Sequence, residues 1–381
     1  MNKKISLGFA ISLIAIASVV TFILTSFFTF MNFNEKYKKY SNLQSLEKFV
    51  QENFYGDINE TNVSDGILKG YISGLDDRYS RYLTAEEYKG EKSDNAGKMT
   101  GLGLTIERDE SGYMKIAGTM PDSPVSETDI QKGDMIVSVN GIDVLETGFE
   151  KSMELISANE EVTLTVRRDG TDKSYTLKRR PIEMITVTGE MTDDYIGYIK
   201  ISGFKQNTSQ QFLNELEKLK SYGAKGIIFD LRDNGGGLLD ALEKCLDPLL
   251  PEGIIATAEY SDGHSDTIVQ SDKEELNIPM VVIVNGHTAS AGELFTASLK
   301  DFGKAEIVGT TTYGKGVMQT TAELSDGGAV VLTIAEYKTT VSECYDGIGI
   351  TPDYIIENEN GDSDEQYNKA VEIILSKITG T

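Results

Sequence analysis

Histidine and cysteine are scarce in this chain. Among 381 residues there are two of each: His264 and His287, Cys245 and Cys344. Two histidines exclude a zinc site built on several of them. They also send the search for a catalytic base to other side chains. Two cysteines with no CxxC pair exclude a disulfide framework. Basic residues are in deficit as well: 36 Lys and Arg stand against 60 Asp and Glu, for a net charge of -24. Such a surface repels phosphate backbones, which argues against nucleic acid as a partner, and otherwise reads as an ordinary solvated exterior. No pattern calls for a metal or a cofactor.

Charge is missing altogether from Ile5 to Phe33. A bilayer core needs about 20 apolar residues as a helix. A cleaved signal peptide has a shorter apolar stretch, roughly 7–15 residues, ending at a small-residue site. Here the one A-x-A, Ala15 to Ala17, lies in the middle of the run. Residues 1–34 are therefore expected to form an uncleaved transmembrane signal-anchor. Lys3 and Lys4 precede the run and Lys36, Lys38 and Lys39 follow it, so the balance of basic residues does not set the orientation. The large remainder is expected outside the cytoplasm, on a single-pass protein of the cell membrane, because so little precedes the run.

Residues 35–95 read as a helical arm. Leu43, Leu46, Phe49, Val50 and Phe54 recur at three- and four-residue steps. A second helix is expected from Val63 toward Tyr79, with a turn at Gly74-Leu75-Asp76-Asp77. Nothing in the arm signals catalysis, and packing or dimerisation is the reading it supports. Together with the last helix it offers candidate contacts for a homodimer. Residues 96–182 are different. Short strands are expected at Thr100–Arg108, Met114–Met120, Met135–Val139, Val162–Arg168 and Ser174–Lys178, with one helix near Phe149–Ala158. That spacing suits a small, mainly-β, barrel-like domain. From 183 to 381 the pattern alternates β and α: strands Gly226–Leu231, Met280–Val284, Glu306–Val308 and Val330–Ala335, helices from Leu238 and Ala291, and a last amphipathic helix over Asp364–Lys377. This reads as an α/β domain with buried strands.

Two segments of the middle domain belong together. Gly101-Leu102-Gly103-Leu104 opens a strand, and backbone N–H groups beside glycine can converge on one anion such as a chain-terminal carboxylate. Lys132-Gly133-Asp134-Met135-Ile136-Val137-Ser138-Val139-Asn140-Gly141 reads as a strand ending in an Asn-Gly turn. At this spacing the pair resembles a PDZ domain. The resemblance implies capture of protein C-termini, with Leu102, Gly103 and Leu104 at the peptide. Arg167 and Arg168, on a late strand, either couple this domain to the rest or are ordinary surface residues.

Three segments of the last domain bring chemistry. In Asn285-Gly286-His287-Thr288-Ala289-Ser290-Ala291-Gly292-Glu293 a buried strand ends and a helix begins at Ser290. The bland reading of that serine is a helix N-cap. The other is a nucleophile, with the Ala291 N–H at a helix start where developing negative charge is favoured. In Thr312-Tyr313-Gly314-Lys315-Gly316-Val317-Met318-Gln319 a lysine stands between two glycines. By itself it would be a solvated loop lysine. Turned inward and buried, it can serve as a base once its reference pKa of about 10.4 falls by several units. Gln319 could orient the amine through its side-chain carbonyl. In Phe229-Asp230-Leu231-Arg232-Asp233-Asn234-Gly235-Gly236-Gly237-Leu238, three glycines between strand and helix can aim N–H groups at a substrate oxygen. A phosphate loop is the rival, and it fails because no Gly-Lys-Ser/Thr follows.

In this order, with 25 residues from Ser290 to Lys315, the three segments resemble the C-terminal processing peptidases, also called tail-specific proteases. The likeness covers nearly the whole chain after the anchor. It implies an α/β protease core of ClpP/crotonase-like type with an inserted PDZ domain. It also implies a Ser290 nucleophile, a Lys315 general base oriented by Gln319, and oxyanion donors at Gly236 and Ala291, with Gly235 as the alternative to Gly236. Substrates would be proteins or peptides with accessible C-termini. The chain departs from the family pattern twice. Gly235 stands where a proline is common, which loosens the turn. The family's T-P-x-G segment is replaced by Thr339-Thr340-Val341-Ser342-Glu343-Cys344-Tyr345 before Gly347-Ile348-Gly349-Ile350-Thr351-Pro352-Asp353 fits again; the change is expected to bear on substrate preference, not on the catalytic positions. His287, three residues before Ser290, lacks an identifiable carboxylate partner and is set aside as base. Two rivals differ in class. A catalytically silent peptide-binding scaffold would not need Ser290, Lys315 and Gln319 together. An acyl-CoA enzyme of the crotonase shape would need a CoA pocket, which an anchor and a peptide reader do not suggest.

Overall fold

The computed structural model describes residues 7–272, 274–358 and 363–380. They fall into two compact units, divided between Tyr71 and Ile72. The first unit is helical. Leu7–Lys39 is one continuous helix, and its stretch Ile11–Phe28 is long and apolar enough to cross a membrane, with no residue of it buried. Ser41–Asn53 follows as an amphipathic helix on which Leu46 and Phe49 remain exposed.

In the second unit the mainly-β insertion has its own core: Met114, Ile116, Ile136, Val139, Val162 and Leu164 are buried together. Its sheet runs in the order Leu104–Arg108, Met114–Thr119, Met135–Val139, Glu161–Arg168, Thr171–Lys178. Leu104–Arg108 is thus an edge strand with one side unpaired, facing the direction from which an extended peptide can add. The single strand expected over Thr100–Arg108 is broken. Lys98–Gly101 pairs instead with Arg180–Glu183, making a two-stranded neck where the chain enters and leaves the insertion. The break falls at Gly103, where φ is +80° and a Cβ would lie 2.2 Å from the Ser123 side chain, so only glycine fits.

The remaining residues build two sheets. One has the order Val187–Met191, Ile196–Ile201, Gly226–Asp230, Met280–Val284, Ala305–Gly309, Tyr354–Ile355 and is parallel after its first pair. Helices cover both faces, which is why its central strands read as unbroken apolar runs. Ile227, Phe229, Met280, Val282 and Ile307 pack on one side with helices Thr208–Ser221, Leu239–Leu246 and Ala291–Asp301. Ile228, Val281, Ile283 and Val308 pack on the other with Ala370, Ile373 and Ile374 of the last helix, Glu365–Thr379. The second sheet is antiparallel around one long strand, Ala329–Thr339, which pairs with Val317–Glu323, Gly253–Tyr260 and Arg81–Leu83. The last pairing draws residues of the expected helical arm into the sheet, opposite Ala329, Val330 and Val331.

Candidate active site

Strand Met280–Val284 ends in a turn that delivers Ser290 to the start of the helix Ala291–Asp301. Ser290 stands where an N-cap would, but its backbone is at φ 54° and ψ -119°, outside the extended region a cap adopts. A non-glycine residue in that conformation is strained and is held only by over-determined surroundings. Those surroundings come from the Gly-rich turn. Buried Asn234 accepts the Ala289 N–H on its carbonyl (2.8 Å) and donates its amide to the Ile201 carbonyl (2.9 Å). The Thr288 hydroxyl donates to the Leu231 carbonyl (2.8 Å). A Cβ on Gly236 would sit 2.7 Å from the Ser290 Cβ, so this glycine exists to let the two segments touch.

Glu293 joins the elbow to the lysine loop. It is fully buried and lies one turn into the helix. Its carboxylate accepts the Ser290 N–H (2.9 Å), the Thr312 hydroxyl (2.6 Å), the Gly314 N–H (2.7 Å) and the Lys315 N–H (2.8 Å). A buried carboxylate must be compensated by hydrogen bonds, and here the compensation ties together backbone 25 residues apart, at Ser290 and Lys315. The loop is braced from its far side too. The Asp346 carboxylate accepts the Gly316 N–H (2.9 Å) and the Gly314 carbonyl accepts the Gly347 N–H (2.9 Å). The segment that departs from the family pattern thus runs directly into the support of Lys315.

Burial, followed by the nearby Arg81 guanidinium, lowers the Lys315 amine below the ordinary lysine range, against the opposing pull of the Asp77, Glu293 and Glu91 carboxylates. Both effects disfavour the ammonium form. The amine lies 5.0 Å from the centroid of the Tyr79 ring. The Ser290 hydroxyl lies against the Tyr337 phenol, which burial pushes up to about 12. No hydrogen bond joins Ser290 to Lys315 among the described residues.

Of the residues singled out in the sequence, Ser290, Gly236, Ala291 and the Lys315 backbone come together around Glu293 and the Gly-rich turn. The Gln319 amide does not reach Lys315: it donates to the Val317 carbonyl (3.2 Å) and the Thr333 hydroxyl (3.3 Å), because its strand has already begun to pair with Ala329–Thr339. The Gly236 N–H is engaged by the Asn234 side-chain oxygen (2.8 Å). The N–H groups of Gly235 and Ala291 have no acceptor among the described residues. His287 is exposed, and its ring makes no hydrogen bond there. Leu102 and Gly103 are buried at the entry to the edge strand, and Leu104 begins it. Arg167 and Arg168 are paired inside the insertion, with Asp172 (2.6 and 2.9 Å) and Asp134 (2.6 Å twice). Among the described residues they make no link to the segments of Ser290, Lys315 or the Gly-rich turn.

Sequence reasoning missed Glu293, Tyr79 and Tyr337, and also an ion cluster behind the Gly-rich turn. There Arg232 grips buried Asp230 (2.6 Å) and reaches Asp364 (2.9 Å), while the Tyr198 hydroxyl donates to Asp230 (2.6 Å). Asp364 caps the last helix by accepting the Tyr367 N–H (3.1 Å), so the cluster pins that helix to the turn. Only Glu293 had a readable signal, the Ser-x-x-Glu spacing of a helix start.

Comparison with known proteins agrees with this architecture. Residues 195–356 match Peptidase family S41, and residues 93–167 match the PDZ domain. A carboxy-terminal processing protease, CtpA, of Bacillus subtilis (strain 168) is 30% identical over 360 residues, covering 92% of this chain and 77% of that protein. A carboxyl-terminal-processing protease of Synechocystis sp. is 30% identical over 327 residues, covering 82% and 77%. Among solved structures, a photosystem II D1 C-terminal processing protease superposes with a TM-score of 0.51 at 25% identity, covering 87% of this chain and 90% of that one. An S41 protease structure from Bacteroides fragilis gives 0.56 at 17% identity, over 85% and 91%, a likeness of fold.

Proposed function

We propose that this chain, which belongs to peptidase family S41 and is a carboxy-terminal processing serine protease, cuts peptide bonds with Ser290 as nucleophile and Lys315 as general base. The observation that carries the assignment is the Glu293 carboxylate, which accepts the Ser290 N–H and the Lys315 N–H at once. One buried group thereby sets the distance between the two segments. In the reaction the Ser290 hydroxyl oxygen attacks the scissile carbonyl carbon and its proton passes to the neutral Lys315 amine. The C–N bond breaks, and the lysine returns the proton to the leaving amine. Water then attacks the acyl-enzyme carbonyl as Lys315 accepts its proton, and the lysine passes that proton to the Ser290 oxygen as the acyl–oxygen bond breaks. The Lys315 amine must reach the Ser290 hydroxyl for this, a contact of the kind that tightens when substrate binds. The free N–H groups of Ala291 and Gly235 support these two as oxyanion donors. Gly236, whose N–H is engaged by Asn234, serves as the glycine that lets the turn close on Ser290.

The PDZ domain binds peptide, and the unpaired edge of Leu104–Arg108 supports entry of substrate C-termini beside Leu102, Gly103 and Leu104. The parallel sheet with helices on both faces and a nucleophile at a strand end supports a ClpP/crotonase-like core. The helix Leu7–Lys39 supports a single-pass anchor, and the catalytic unit is placed outside the cytoplasm in this proposal. Cleavage of that unit by protease added to intact cells is the expected result, and full protection would place it inside.

The test of the catalytic assignment is degradation of an unfolded protein by the full chain in detergent across pH 6 to 10. Because Lys315 is lowered by burial, its neutral form appears below the ordinary lysine range of about 10.4. Activity is therefore expected to rise with pH and to level off below that value. Ser290→Ala and Lys315→Ala are expected to fall to background, a loss on the order of 10⁴-fold or more. Activity that survives Lys315→Ala would move the base elsewhere.

A further inference from the structure

The Lys315 amine faces a segment 236 residues earlier in the chain. That segment, Asp77 to Arg81, is fastened from several sides. The Asp77 carboxylate accepts the Ser80 N–H (2.9 Å), and the Ser80 hydroxyl accepts the Thr333 N–H (3.1 Å). The Arg78 guanidinium lies 4.8 Å over the Tyr313 ring, two residues before Lys315, and also bonds the Tyr313 hydroxyl. From Arg81 the chain pairs with the strand Ala329–Thr339. Tyr79 is held between these anchors, half-buried, with its ring face on the Lys315 amine at 5.0 Å.

We propose that Tyr79 is a positioning residue for the catalytic lysine: its ring is the wall between the Lys315 amine and solvent. The proposal rests on Lys315 being the base. An amine lined by a ring face on one side and protein on the other cannot be fully hydrated, and loss of hydration favours the neutral form that accepts a proton. The ring's own attraction for a cation works the other way. Around the amine stand the Arg81 guanidinium, which disfavours its protonation, and the Asp77, Glu293 and Glu91 carboxylates, which favour it. Arg78, Tyr313 and Asp346 complete the charged and titratable surroundings of Tyr79 itself. Burial is the leading influence on the amine, and the ring at 5.0 Å contributes to it; the variants below decide between the wall and the cation–ring attraction.

The experiment is the pH dependence of kcat and kcat/KM for the full chain in detergent, with a peptide substrate, for wild type and five variants. Tyr79→Ala opens the wall. It is expected to move the rise of kcat/KM to higher pH by about one unit and to lower the neutral-pH rate about tenfold. Tyr79→Phe retains the ring and is expected to restore the wild-type midpoint. Tyr79→Leu retains an apolar wall without the ring's charge distribution, and its midpoint is expected at or below that of wild type. Tyr79→Gln, a hydrated side chain of similar reach, is expected to behave as Tyr79→Ala and gives the same reading if the alanine variant does not fold. A midpoint that stays in place or moves to lower pH in the alanine or glutamine variant would overturn the proposal, whatever happens to the rate. Lys315→Ala separates the two levels. Activity retained in it would overturn both readings, whereas an inactive Lys315→Ala beside an unmoved midpoint would overturn only the role of Tyr79.

Discussion

Ser290 is placed by backbone, whereas the Lys315 amine is placed by side chains that come from far along the chain. The serine hydroxyl is two bonds from Cα with a single rotatable torsion between, so the elbow conformation, φ 54° and ψ -119°, confines where the hydroxyl can point. Most neighbours that enforce it lie at strand ends, Asn234 and Gly236 on one turn and Thr288 and Ala289 on the next, and Glu293 holds its N–H from the helix. Lys315 carries its amine at the end of four methylenes. Clamping its N–H on Glu293 and the flanking glycines on Asp346 and Gly347 settles where the side chain starts and leaves its tip to Tyr79, Arg81 and burial. In the reaction proposed above, Lys315 would meet first the serine and then the leaving amine, and a rigid nucleophile with a base that can travel suits that sequence.

Glu293 is the point where the two halves are not independent, and it gives the largest expected effect. Glu293→Ala removes the acceptor of four hydrogen bonds in a fully buried place. Unsatisfied buried donors of this kind are expected to cost roughly 3–5 kcal/mol of unfolding free energy, read by denaturant unfolding, and activity is expected to fall to background. Glu293→Gln offers one oxygen where the carboxylate offered two and turns an NH₂ toward donors, so it should recover only part of the stability. Full activity with lowered stability in Glu293→Gln would show that elbow and loop are placed separately after all.

How much of this could be read in advance follows the same division. The elbow lies within nine consecutive residues, Asn285 to Glu293, and strand, turn glycine and helix start are local signals. The parallel strands Gly226–Asp230 and Met280–Val284 are legible because burial on both faces leaves only apolar residues. The antiparallel sheet is harder. Gly253–Tyr260 and Ser265–Ser271 alternate weakly and end in polar residues, and Arg81–Leu83 has three residues, too few to show a period. With that strand unread, Tyr79 stayed in an arm without chemistry. Its meeting with Lys315 depends on the register Arg81 to Val331, which no local pattern encodes. The expected strand Thr100–Arg108 failed for a related reason: Leu102, Leu104 and Ile106 alternate without a break, but Gly103 must bend away from Ser123, a tertiary constraint.

A pair of alanines tests the division at a smaller scale. At Gly236 a Cβ would meet the Ser290 Cβ at 2.7 Å and the Ala289 carbonyl at 2.9 Å, on a backbone with φ +98°. Nothing there can yield except the elbow itself. Gly236→Ala is expected to lower kcat on the order of 10²-fold, as misplacement of a nucleophile by an ångström does, and to reduce stability by about 1–3 kcal/mol. At Gly316, on the other side of Lys315, a Cβ would meet the Asp346 N–H at 2.7 Å and the Cys344 thiol at 2.8 Å. The thiol can rotate, and the loop can shift because four methylenes downstream absorb the change. Gly316→Ala is therefore expected to cost similar stability and only about tenfold in kcat. Steady-state kinetics on both variants, with KM as the control for substrate binding, decides the matter. Equal losses in kcat would mean that the lysine tip is fixed as tightly as the serine, and that the base does not travel.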